Sequence, residues 1–113
     1  MNRFNRLPEF EKELKRLAGK YRSLPDDLLR LEKILVSHPT GIGTNFTIIH
    51  RQEKATVIKT RLACRALKSR SMRLIYAYHN DIITFVYLEI YFKGDKENED
   101  RERIKRYLKN QAE

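Results

Sequence analysis

The sequence predicts one α+β domain spanning residues 1–113: an N-terminal helical hairpin packed on a mainly antiparallel, four-stranded sheet, with a short C-terminal helix. Three observations carry this reading. Phe10, Leu14, Leu17 and Tyr21, then Leu24, Leu28, Leu31 and Leu35, recur at helical spacing. Met72 to Lys93 is largely apolar and interrupted at His79-Asn80-Asp81, the composition of two strands folded back on each other. Arg101 to Lys109 carries Ile104, Tyr107 and Leu108 on one side, with early acids and late bases that suit a helix macrodipole.

Each element has its own local cause. Pro8 opens the first helix, because a first-turn residue has no use for the N–H that proline lacks. Gly19 weakens its end. A second helix starts near Ser23 or Leu24, with Pro25 in the first turn and Asp26 and Asp27 complementing the dipole. So short a link predicts an antiparallel pair of helices. His38-Pro39 ends the second helix, and the turn Thr40-Gly41-Ile42-Gly43 leads to a strand from Phe46 to His50. After a turn at Arg51 to Lys54, a further strand runs from Thr56 to Leu62. Its alternation puts Val57, Lys59 and Arg61 on one face, with Ile58, Thr60 and Leu62 on the other.

Ala63 to Ser71 is a basic connection to the hairpin. In the hairpin's first arm, Met72, Leu74, Tyr76 and Tyr78 oppose Arg73, Ile75, Ala77 and His79. In the second, strict alternation places Thr84, Val86, Leu88, Ile90 and Phe92 opposite Ile83, Phe85, Tyr87, Glu89 and Tyr91. A strand apolar on both faces belongs in the middle of a sheet. Gly94 to Asp100 is acidic and turn-like.

Lys and Arg outnumber Asp and Glu 24 to 15, a formal net charge of +9, which favours a polyanionic partner. No apolar run is long enough to span a bilayer, and the N-terminus lacks the basic-then-apolar layout of a signal peptide. The expectation is a cytoplasmic protein without membrane attachment. The single cysteine, Cys64, excludes an internal disulfide framework. His38, His50 and His79 form no metal-ligand pattern, and no cofactor is expected. Without a Ser-His-Asp order, a Gly-rich phosphate loop or a paired-Cys motif, hydrolase, kinase and zinc-site readings lack support.

The sharpest local feature runs from Lys54 to Asn80, which holds seven bases and no acid: Lys54, Lys59, Arg61, Arg65, Lys68, Arg70 and Arg73. Lys59 and Arg61 share one strand face and Arg73 starts the neighbouring strand, an arrangement suited to phosphate. The same residues would also suit a solvated edge strand guarded by Lys and Arg. Tyr76, Tyr78, Tyr87 and Tyr91 are read first as core residues and second as stacking partners for unpaired bases. His50, ending a strand beside Arg51, is a candidate acid–base group.

The helical hairpin, the basic strands, Arg73-Leu74-Ile75-Tyr76 and Ile90-Tyr91-Phe92-Lys93 together resemble the RelE/ParE toxin superfamily, particularly its RelE and HigB branches. The resemblance implies a single toxin domain with a curved sheet. It also implies a cognate acidic antitoxin, through which the protein would mainly oligomerise. In the RelE and HigB branches it implies metal-independent cleavage of mRNA in the ribosomal A site; in the ParE branch, poisoning of DNA gyrase. A homologue that only binds nucleic acid or antitoxin is the third expectation. Arg73 resembles the arginine that contacts the scissile phosphate, and Lys59 and Arg61 the basic pair on the preceding strand. These three are the expected catalytic residues. Lys93 resembles the base just after the last strand and Lys96 a second one, while Lys54, Arg65, Lys68 and Arg70 would extend the RNA surface. The chain departs from RelE at Asp100, which falls near the position of a catalytic tyrosine; Tyr107 is displaced and read as packing its helix.

Overall fold

The computed structural model describes residues 3–67 and 70–111. The elements run β1 (Arg3–Arg6), α1 (Pro8–Lys20), α2 (Leu24–Ser37), β2 (Phe46–Arg51), β3 (Ala55–Ala63), a 3-10 turn (Arg65–Leu67), β4 (Ser71–His79), β5 (Thr84–Phe92) and α3 (Arg101–Gln111). The predicted architecture holds: a helical hairpin, a mainly antiparallel sheet and a C-terminal helix. Among the described residues the sheet has five strands rather than four, ordered β1-β5-β4-β3-β2. The added strand, β1, pairs parallel with β5 from Thr84 to Tyr87. Its sequence, Arg-Phe-Asn-Arg, has one apolar residue and no readable alternation. Yet it is β1 that gives β5 the interior position its two apolar faces demand.

Helices pack on both faces of the sheet, fully on one and over part of the other. Phe10, Leu14 and Leu17 of α1, with Leu24, Leu28, Leu31 and Leu35 of α2, pack on Ile58, Met72, Leu74, Tyr76, Phe85, Tyr87 and Ile90. On the opposite face Ile104, Tyr107 and Leu108 of α3 pack on Val57, Ile75, Ala77, Val86 and Leu88. Tyr76 and Tyr87 are core residues: their hydroxyls donate to the Pro39 carbonyl oxygen and to Glu32 Oε2, each at 2.9 Å. Such pairing is what a buried phenol needs.

One sequence expectation is corrected. Strict alternation along β5 grouped Val86 and Leu88 with Ile90 and Phe92, but a bulge breaks the phase. Ile75 pairs with Glu89 and Tyr76 with Tyr87, leaving Leu88 unopposed. The extra residue leaves Leu88 with Val86 on the face of α3, moves Ile90 and Phe92 to the face of Phe85 and Tyr87, and moves Glu89 and Tyr91 to the face of α3. Among the described residues no helix is long and apolar enough to cross a membrane.

Candidate nucleic-acid interface

The α3 face of the sheet is only half covered. α3 packs over one end of the strands, and beyond its N-terminus lies a cavity of about 370 Å³ lined by polar and basic residues. Strand register fixes its centre. Arg61 on β3 lies directly opposite Arg73 on β4, which lies opposite Tyr91 on β5. The next row on this face is Lys59, Ile75 and Glu89. Lys59, Arg61, Arg73, Lys93 and Arg101 supply the cationic lining, with Asn45, Thr47 and Asn98 around them and Glu99 as the one carboxylate. A shallower neighbouring cavity shares Arg61, Arg73 and Lys93 and adds Arg70, Ser71 and Phe92.

Like charges directly opposite in an antiparallel pair are unfavourable, and among the described residues no acid relieves them. Arg73 donates through Nη1 to Ser71 Oγ at 2.8 Å, and among the described residues neither it nor Arg61 makes an ion pair. Both guanidiniums are held on rigid strands with donors free for an anion.

Lys59 differs. Its ammonium donates to Glu99 Oε1 at 2.9 Å, and Glu99 Oε2 meets Arg101 Nη2 at 3.2 Å. Burial pulls the Lys59 pKa down, but Glu99, with the nearby Tyr91 hydroxyl, outweighs it and holds the ammonium above its ordinary value. Burial pushes Glu99 the other way, and Lys59 and Arg101 overcome it, keeping its carboxyl below the usual range. The Tyr91 hydroxyl is buried without a hydrogen-bond partner.

Of the residues expected to bind RNA, the structure thus brings together Lys59, Arg61, Arg70, Arg73 and Lys93. It leaves others apart. Arg65 turns to the helical side, where its Nε and backbone N–H donate to Asp27. Lys96 is engaged by the buried Glu89 carboxylate and sits over the Tyr91 ring. Lys54 lines a different cavity at the far end of β4, with His79 and Asp81. His50 is exposed on β2 and lines neither basic cavity. Lys68 lies outside the described residues. Asp100 has a structural duty: its Oδ1 accepts the Arg103 backbone N–H at 3.0 Å, capping α3.

Sequence reasoning did not single out Glu99 and Arg101. Glu99 sits in an acidic, turn-like stretch and reaches Lys59, 40 residues away, only through the fold, while Arg101 opens α3 and pairs with Glu99. Tyr91 is buried, as a core residue should be, and lies opposite Arg73 in the strand register. Among the described residues no group of three or more His, Cys, Asp or Glu side chains could hold a metal ion.

No family model and no curated protein matches the chain. Among solved structures, the fold matches the crystal structure of the archaeal RelE–RelB complex from Pyrococcus horikoshii OT3. The TM-score is 0.63, covering 82% of this chain and 96% of that one, at 16% identity. The likeness is one of fold, over most of both chains.

Proposed function

We propose that the protein is the toxin of a type II toxin–antitoxin pair and cleaves mRNA on the ribosome without a metal ion. The fold likeness to a RelE–RelB complex supports the class. The observation that carries the activity is the Arg61–Arg73 cross-strand pair, unneutralised and walled by Lys59, Lys93 and Arg101. In the proposed reaction the ribose 2′-oxygen attacks the adjacent phosphorus and the 5′-oxygen leaves. Negative charge builds on the phosphoryl oxygens, and fixed guanidiniums at that point stabilise it without reorganising. Lys93 and Arg70 would hold the neighbouring phosphate.

The partner implied by the same physics is an acidic antitoxin segment that covers these bases. A reading as a binder without cleavage is favoured by one observation: no histidine lines either basic cavity. Primer extension on mRNA-programmed ribosomes separates the two. Cuts within the A-site codon that vanish in Arg73→Ala are the expected result. Intact mRNA with folded wild-type protein would leave a binder, of nucleic acid or of gyrase.

A further inference from the structure

We infer that Glu99 is a positioning residue for Lys59, fixing its ammonium group beside Arg61 and Arg73 as the proton donor to the leaving 5′-oxygen. The inference rests on the cleavage reading above.

Glu99 is not a surface carboxylate that happens to lie near a lysine. Its side chain is 4% exposed, and it makes two ion pairs, to Lys59 and to Arg101. The backbone behind it is fixed as well. The next residue, Asp100, donates its N–H to Glu89 Oε1 at 2.7 Å and caps α3 through its own carboxylate. Glu89 in turn is buried on β5, next to the bulged Leu88. The carboxylate is therefore delivered to Lys59 by the docking of α3.

The groups facing Lys59 show what that delivery does. Arg61 shares its strand, Arg73 comes from β4, Tyr91 from β5, Lys93 from just beyond β5, and Glu99 and Arg101 from the segment entering α3. Four cations and partial burial all favour the neutral amine. Glu99 is the single anion among the described residues lining the cavity, Glu89 on the same face being engaged by Lys96, so without Glu99 the Lys59 ammonium loses both its orientation and its main support. Glu99 itself is a poor base, being engaged by two cations that hold its carboxyl ionised.

The step balances. The 2′-hydroxyl proton passes to solvent water, the 2′-oxygen bonds to phosphorus, and the bond from phosphorus to the 5′-oxygen breaks. Lys59 gives that oxygen its proton and recovers one from water. The products are a 2′,3′-cyclic phosphate and a 5′-hydroxyl.

The test is single-turnover cleavage on programmed ribosomes across pH, for wild type, Glu99→Gln and Glu99→Asp, each shown folded by its urea midpoint. Glu99→Gln is expected to lower the saturated rate about tenfold or more, as for a misplaced general acid. Half-saturation should stay the same or improve, because a negative charge has left the cavity. The alkaline limb should move down by about one unit or more, the usual effect of an adjacent opposite charge. Glu99→Asp should recover part of the rate. Wild-type cleavage that is lost in Arg73→Ala but unchanged in rate and pH profile in Glu99→Gln overturns the role of Glu99 alone. Wild-type protein that leaves mRNA intact overturns the cleavage reading and this role with it.

Discussion

Glu13 on α1 and Arg103 on α3 join the two faces of the sheet around its edge. Their bidentate ion pair, at 2.8 and 2.9 Å, also seals the part of β5 that β1 does not reach. Arg103 Nη1 donates to the Leu88 carbonyl oxygen at 2.8 Å, and Glu13 Oε1 accepts the Ile90 N–H at 3.3 Å. One pair thus satisfies a bulged strand edge and pins α3. Arg103→Ala or Glu13→Ala should each cost about 2 kcal/mol in urea unfolding, since each orphans a largely buried charge and a backbone group. The charge-swapped double variant should not recover stability. An arginine cannot accept from the Ile90 N–H, nor can a carboxylate donate to the Leu88 carbonyl oxygen. Recovery in the swap would show that charge alone holds the joint.

Arg61 and Arg65 are close in sequence and should behave differently. Arg65 is committed to Asp27, which also accepts from Ser23 Oγ at 2.7 Å, while Arg61 lines the basic cavity and has no ion pair among the described residues. In binding to single-stranded RNA, Arg61→Ala should reduce the slope of log K against log salt by about 0.7, the value for one phosphate contact on a single strand. Arg65→Ala should leave that slope unchanged and lower the urea midpoint instead. Equal slopes for both variants would remove Arg61 from the interface.

His79 makes stability depend on pH. It is buried at the end of β4, hydrogen-bonded through Nε2 to the Tyr107 hydroxyl of α3. Burial lowers its pKa, against an opposing pull from Asp81. A base with a depressed folded pKa binds fewer protons folded than unfolded, so stability rises with pH between the two values. The contribution of His79 is therefore complete above its ordinary pKa of about 6.5 and is lost as pH falls below it. The urea midpoint should drop between pH 7.5 and pH 5, and drop less in His79→Gln. Carboxylates common to both proteins would give equal slopes.

Tyr91 presents the opposite case, a group whose removal should help the fold. Its hydroxyl is buried and unpartnered, so Tyr91→Phe deletes a desolvated polar atom without breaking a hydrogen bond. The variant should be as stable as wild type or more stable by up to about 1 kcal/mol. A destabilised Tyr91→Phe would mean that the hydroxyl has a structural partner.

Ile83 closes the β4–β5 turn at φ +49°, in the left-handed region that a β-branched residue rarely enters. Ile83→Asn should raise stability by about 1 kcal/mol, because asparagine tolerates that conformation and the isoleucine is already 42% exposed. Unchanged thermal unfolding would show that the turn stores no strain.

The sequence alone determined the three helices, four of the five strands and which of the strand-borne bases share a face. Helical spacing of Phe10 to Leu35, the prolines at two helix starts and the alternation of Lys59 with Arg61 are local signals. Local signals fix which face of an element a side chain occupies. Lys59, Arg61 and Arg73 were legible because two adjacent antiparallel strands bring same-face residues together almost unavoidably, whereas Lys93, just past β5, was indicated only by the family resemblance. Tertiary structure decided three things. It recruited Arg3–Arg6 as a fifth strand, where one phenylalanine among polar residues gives no pattern but an unpaired β5 edge supplies the hydrogen bonds. It inserted the bulge at Leu88, which periodicity cannot reveal when both faces of the strand are apolar. Finally, it carried Glu99 across to Lys59, because the position of an irregular segment depends on where α3 docks, and that is set by contacts far apart in the chain.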